Sequence, residues 1–436
     1  MSRVGFLIIL NLPILQEVIR KYFIPNDLVF LSADAITILS GLILMSRGRL
    51  NNEQIPRMFW VLSFVVILWT LFIHLMKGRH LGIYGIGLRT LFLPIFYLLI
   101  SCYYVHNDRR AAEKIFYSVN FWIIIIGLMA FVQLSLGKSH PINAVWGQSG
   151  LGVGDFATHE KGVLIPGLFR PTSIFMHTGK FGQVAFTLIL FKWCYLAFCG
   201  KSYNKIFYLL ILFDMAVIFS SGQRAAVVFL LLSVLLMFYF FINKPNVRIS
   251  KFIHAIAIAV FGSVFLMIIA PDVALAIFER FYSAVESAPL RLKINFLLPM
   301  GTILDNYLLY GEGLGFFTFG SHIFGGTLAY KYVDMAGLGE SSLIRLCSEV
   351  GVICALIVIV AYFSLVAKSL RKYRLNKNSE IGAISLFFFI WILCLVLWCN
   401  TADVFANSVN TTLGYALSGA FLVKSRVWKK YSKVTV

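Results

Sequence analysis

Acidic side chains are scarce in this chain: 19 Asp and Glu stand against 38 Lys and Arg, and charged residues make up only 13% of the 436 positions. So thin a charged complement excludes the solvated surface of a soluble enzyme. With 59% hydrophobic residues the chain reads as a polytopic membrane protein. Metal-type cysteine spacing is missing as well. The cysteines at 102, 194, 199, 347, 354, 394 and 399 all fall in or beside apolar runs, so neither a disulfide framework nor a metal site is expected. The short apolar stretch of "MSRVGFLIILNLPIL" has no small-residue cleavage site after it and is expected to stay as a first helix. No internal repeat is visible, which argues against transporter folds built from duplicated halves.

What is present is a succession of apolar runs. Crossing the hydrocarbon takes about 20 apolar residues, and about twelve runs of that order recur from end to end. The expectation is an all-α polytopic protein, a single integral membrane domain over residues 1–436. Helices are predicted near 4–22, 27–45, 58–76, 84–104, 116–136, 181–199, 205–220, 224–242, 252–270, 341–366, 380–399 and 407–423. The first is interrupted by Pro13 and Glu17.

A net charge of +19 would suggest nucleic acid in a soluble protein, but here the cations are segmental. They crowd into alternate links: Arg47, Arg49 and Arg57; Arg109, Arg110 and Lys114; Lys201 and Lys205; Lys244, Arg248 and Lys251; Lys368, Arg371, Lys372, Arg374 and Lys377; and the tail from Lys424 to Lys433. The positive-inside rule then assigns these links and both termini to the cytoplasm, with no nucleic-acid partner expected. Two long segments, 137–180 and 271–340, fall on the opposite face. Both are Gly-rich and polar yet carry aromatic and aliphatic residues that can pack, and long structured loops of this kind usually hold the chemistry.

Four arginines run against the charge rule: Arg89 in "GIGLRTLFLP", Arg170 in "GLFRPTSIF", Arg224 in "SSGQRAAVVF" and Arg291 in "SAPLRLKINF". Each taken alone is as well explained by snorkelling to lipid headgroups. Together they suit a pyrophosphate, whose planar acceptors match the guanidinium fork. Arg224 is placed to open a helix, where the helix dipole favours the same anion. His177 and His322 are outward histidines able to transfer protons, although a loop histidine more often has no such role. Histidines 74, 80, 106, 140, 159 and 254 have no neighbours in sequence that suggest one. "GEGLGFF", from Gly311, follows no soluble strand and reads as a turn that needs small residues rather than a phosphate loop.

In "LGESSLIRLCSEVGVICALIVIVAYF", Glu340 sits at a helix start, where the macrodipole favours an acid in any case. Arg345 and Glu349, four apart, are expected to pair with each other within the membrane. Glu340 has no such local partner and is the one left for chemistry.

"GEGLGFF" followed by "ESSLIRLCSEVGVICALIVIV" resembles the signature of the bacterial O-antigen polymerase (Wzy) and O-antigen ligase superfamily. "FRPTSIFMHTGKFG" is similar to that family's Arg-containing lead-in to a middle helix, and "SGQRAAVVFLLL" to its Ser-Gly-x-Arg turn. The resemblance covers roughly residues 165–360. It implies a membrane-embedded glycosyltransferase of the C type, without metal or other cofactor, working at the periplasmic face of the bacterial inner membrane. Donor and acceptor would be glycans on undecaprenyl diphosphate, held among membrane lipids, and a chain-length regulator protein is a candidate partner; whether one sets chain length is left open by the sequence. By the same resemblance Arg224 and Arg291 hold the diphosphate, with Arg170 and Arg89 as further candidates, and Glu340 takes the acceptor proton. His322 and His177 are alternatives for that transfer. Many ligases carry a histidine where this chain has Glu340, and polymerases more often carry an acid or another polar residue. The expected activity is therefore polymerisation of O-antigen or related repeat units, with inversion at the anomeric carbon. The alternatives are an O-antigen ligase acting on lipid A core, or a transporter or flippase of lipid-linked sugars.

Cysteines introduced at Ser149 and Ser321 are predicted to react with a membrane-impermeant maleimide added from outside, and one at Ser379 to be protected. The reverse pattern would refute the topology.

Overall fold

The computed structural model describes residues 3–24, 28–46, 55–108, 110–137, 140–143, 163–165, 168–169, 171–175, 178–198, 206–242, 293–318, 341–377, 379–399 and 408–423, besides 282, 286, 289 and 290. These residues form a helical bundle. Its helices are α1 (Arg3–Tyr22), α2 (Leu28–Ser46), α3 (Arg57–Met76), α4 (Leu81–Asn107), α5 (Ala111–Leu136), α6 (Thr178–Phe198), α7 (Ile206–Ser220) and α8 (Arg224–Ile242). They continue with α9 (Leu298–Asn306), α10 (Ser342–Val350), α11 (Val352–Leu375), α12 (Glu380–Trp398) and α13 (Ser408–Ser418). A short antiparallel hairpin, β1 (Val163–Ile165) with β2 (Leu168–Phe169), lies between α5 and α6.

Five of the described helices, α3, α4, α5, α11 and α12, are long and apolar enough to cross a membrane. Their surfaces agree with that length. On α3 the exposed residues include Met58, Val61, Phe64, Val65, Leu68 and Phe72, one stripe at helical spacing. Exposing such a stripe to water would be costly, whereas hydrocarbon solvates it. The predicted helix over 252–270 lies outside the described residues.

The core is centred on α12, buried on nearly every side and packed against α6, α8, α11 and α13. Trp391 lies at its middle, and the approach of α13 is set by Gly414, where a Cβ would come within 2.0 Å of the Trp391 ring. Phe388 stacks on Phe421, 4.7 Å between centroids.

Several polar groups inside this core are paired across helices. Lys192 Nζ lies 2.7 Å from Asp214 Oδ1, and Trp193 Nε1 donates to the other carboxylate oxygen at 2.9 Å, joining α6 to α7. Asn11 Oδ1 accepts from Ser118 Oγ and Trp122 Nε1, joining α1 to α5.

One predicted helix is corrected. The apolar run 341–366 is two helices, α10 and α11, separated at Gly351, whose φ of 84° no helix accommodates. A Cβ at Gly351 would lie 2.5 Å from the Leu309 carbonyl oxygen, so the break exists where another segment of chain crosses.

Removing one member of a buried ion pair strands its partner in a low dielectric. Asp214→Ala is predicted to cost about 3–5 kcal/mol, whereas the double change Lys192→Met with Asp214→Leu recovers most of it. Thermal melting in detergent checks both; equal melting of the two would refute the pairing.

Candidate functional site

Cross-links between elements define one end of the bundle. Gly182 of α6 lies against Gln223, ahead of α8, so closely that a Cβ there would sit 2.1 Å from Gln223 Oε1. Phe229 of α8 stacks on Trp398 of α12 at 5.1 Å. The carbonyl of Cys399 accepts from Ser341 Oγ at 3.0 Å and from Ser342 N at 3.1 Å. The ends of α6, α8, α10 and α12 that meet here are joined to α3 and α4 through the segment 307–318.

Arg224 is the first residue of α8. The turn before it is tight: Gly222 has φ 61°, the Ser221 hydroxyl accepts from Gln223 N at 3.2 Å, and Ser221 Oγ donates to the Ile218 carbonyl at 2.7 Å. Arg224 thus stands at the helix end whose open amide groups and dipole favour anions. Five residues on, about 7.5 Å along the axis, Phe229 meets Trp398. The same α12 terminus holds Ser341, the N-cap of α10, whose hydroxyl accepts from Ile344 N. Ser341 is thereby fixed to the corner that α8 shares.

Arg89 has a partner the sequence reading did not identify. Its Nε donates to Asp34 Oδ2, from α2, which is nearly buried. This cation is therefore paired within the bundle. Arg170, Arg291, Glu340, His177 and His322 lie outside the described residues, so of the residues singled out for chemistry only Arg224 and Arg89 are described.

The second motif, 311–317, is a junction. Glu349 of α10 accepts from Gly315 N at 2.9 Å, Phe317 N at 3.0 Å and Thr318 Oγ1 at 3.0 Å. Its backbone carbonyl accepts from Gly313 N at 2.9 Å, and the Ser348 carbonyl from Glu312 N at 2.8 Å. The expected pairing of Glu349 with Arg345 is thereby corrected: the carboxylate binds the loop, and Arg345 contributes an attractive field from one turn away. The reading of "GEGLGFF" as a turn requiring small residues agrees with its geometry. Gly313 and Gly315 have φ of 109° and 87°, and a Cβ at Gly315 would lie 2.2 Å from the Ile83 carbonyl oxygen of α4.

Further residues that the sequence reading passed over complete this junction. Glu312 bonds Arg79 at 2.7 Å and lies 3.5 Å from Lys77, and the Arg79 guanidinium sits 4.1 Å above the Phe316 ring. His74 Nε2 lies 2.9 Å from the His80 carbonyl oxygen, and its Nδ1 faces Gly313. The signal that could have found Asp34, Glu17 and Glu349 is their isolation, since an acid inside an apolar run requires a partner. Among the described residues, no group of three or more His, Cys, Asp or Glu is placed to hold a metal ion.

No protein-family model matches the chain, and no curated protein matches it.

Glu349→Gln presents an amide in place of an acceptor oxygen to the loop and is predicted to cost about 1–3 kcal/mol. Gly315→Ala forces an L-residue into a left-handed conformation and is expected to cost at least as much, of order 1–3 kcal/mol from strain alone. Both should lower the melting temperature in detergent; wild-type melting in both would remove the junction from the account.

Proposed function

We propose that this protein is a membrane glycosyltransferase that polymerises undecaprenyl-diphosphate-linked oligosaccharide repeat units into O-antigen or a related surface polysaccharide. The reading carries with it a bundle of about twelve spans of the C type, in the bacterial inner membrane with its site on the periplasmic side. The basic ends of α11 and the residues around Lys114 lie opposite the corner described above, which supports that orientation.

The observation that carries the reading is the position of Arg224 at the opening of α8, on the same corner that fixes the chain next to Glu340. Arg224 and Arg291, with Arg170, would take the donor diphosphate in place of a metal. As the glycosidic bond to phosphate breaks, negative charge grows on the leaving diphosphate, and fixed guanidinium groups stabilise that charge. Glu340 would accept the proton of the acceptor hydroxyl as its oxygen attacks the anomeric carbon. One displacement inverts that carbon. Phosphate leaves without protonation, so no separate acid is required.

The test uses purified full chain and lipid-linked repeat units, read as a polymer ladder. Arg224→Ala should abolish donor binding while the protein still inserts, and Arg224→Lys should recover only part, because the fork geometry is lost. Glu340→Gln should bind donor yet polymerise at a rate lower by about 10²-fold or more. A Glu340→Gln variant as fast as wild type would move the proton transfer to His322 or His177, and wild-type donor affinity in Arg224→Ala would refute the diphosphate assignment.

A further inference from the structure

The stretch that leads into the 311–317 junction carries an apolar face turned away from the bundle. A single π-helical turn, Lys293–Leu297, runs into α9, which has 9 residues. One side of α9, Pro299 and Ile303, is buried, and Ile303 joins the cluster that contains Ile83, Phe316 and Val350. Leu297 and Leu304, seven apart, share a different side, and Leu308 follows just past the helix end. These three leucines are 56%, 48% and 49% exposed, so about half of each side chain is uncovered. Thr302, Asp305 and Asn306 are exposed on the remaining flank.

The neighbours of this leucine face show what meets it. In the first turn of α11, Val352 N and Ile353 N donate to the Tyr307 and Leu308 carbonyls at 3.0 and 3.2 Å. The exposed Leu308 is thus bonded to the exposed Ile353, and Leu356 continues the same uncovered surface along α11. Tyr310 stacks on Trp69 of α3 at 5.5 Å between centroids, and Leu68 and Phe72 beside that tryptophan are exposed. Both α3 and α11 are long and apolar enough to cross a membrane. The leucines of α9 therefore extend the surface that α3 and α11 turn to hydrocarbon, and in water the combined patch would be costly. α9 itself is too short to cross, since that takes about 20 residues. It joins α11 at the end opposite the basic residues Lys372 and Arg374, where a Trp–Tyr pair suits the level at which bilayer meets water. A short helix with one apolar and one polar exposed side at that level lies in the plane of the interface.

We propose that α9 is an interfacial membrane anchor whose partner is the lipid surface itself: Leu297, Leu304 and Leu308 lie among the acyl chains at that end of α3 and α11, while Thr302, Asp305 and Asn306 face water. Lys293, exposed at the start of the segment, is long enough to reach lipid phosphates. The 311–317 turn is then held from two sides, by α9 in the membrane surface and by Glu349 in the bundle. The anchor goes beyond the glycosyl-transfer reading and does not depend on it.

The test places a bimane fluorophore on Leu297→Cys, Leu304→Cys, Thr302→Cys and Asn306→Cys, one at a time, in full-length protein in phosphatidylcholine nanodiscs. Wild-type protein labelled in parallel gives the background from native cysteines. Quenching by nitroxide-labelled lipid is compared with quenching by iodide, and the melting temperature of each variant is recorded; Leu308→Cys replaces either leucine variant that melts early. The expected result is severalfold stronger lipid quenching at 297 and 304 than at 302 and 306, with the order reversed for iodide. Iodide quenching as strong at 297 and 304 as at 302 and 306 places the leucine face in water and overturns the proposal. Protection of 297 and 304 from both quenchers also overturns it, because a second copy or another protein then covers the face. Equal lipid quenching at all four positions overturns it as well, because α9 would then be immersed rather than interfacial.

Discussion

A charge or an open peptide group inside an apolar bundle has no water to turn to, so it must find a partner on another element. That constraint organises this protein. Lys192 and Asp214 tie α6 to α7, Arg89 and Asp34 tie α4 to α2, Glu17 and Lys180 tie α1 to α6, and Glu349 ties α10 to the segment 311–318. The apolar contacts between helices carry little direction of their own when lipid is as apolar as leucine. The buried pairs supply register: each is satisfied at one relative placement of two helices and leaves an unpaired group at others.

The same constraint accounts for where the sequence was readable. Spans such as 57–76 and 380–398 are read directly, because their length and hydropathy are imposed by the bilayer and nothing distant competes. The start of α8 was also legible, since Gly222 and Arg224 mark a left-handed turn and a helix opening within four residues. The break at Gly351 was not. A glycine in an apolar run looks the same whether it continues a helix or ends it, and what decides is the Leu309 carbonyl, brought in from a separate segment.

The candidate site shows the limit more sharply. Arg89 reads as an outward cation available for a ligand, yet its Nε donates to Asp34, 55 residues away. Glu349 reads as the local partner of Arg345 at helical spacing, yet its oxygens take up amide and hydroxyl groups 31 to 34 residues away. Local spacing measures which groups can meet on one helix; it says nothing of a better partner arriving from a loop. Glu340 lies outside the described residues; what is described is its neighbour Ser341, whose hydroxyl donates to the Cys399 carbonyl.

The central claim is that guanidinium groups do the work of a metal in a glycosyl transfer from lipid diphosphate. The most direct measurement is polymer formation by the purified wild-type chain in lipid nanodiscs, supplied with lipid-linked repeat units in the presence of excess EDTA. The account predicts a ladder of products at the same rate with and without the chelator, each new linkage inverted at the anomeric carbon. Synthesis that stops on chelation and returns with a divalent cation, or products that retain configuration, would contradict it.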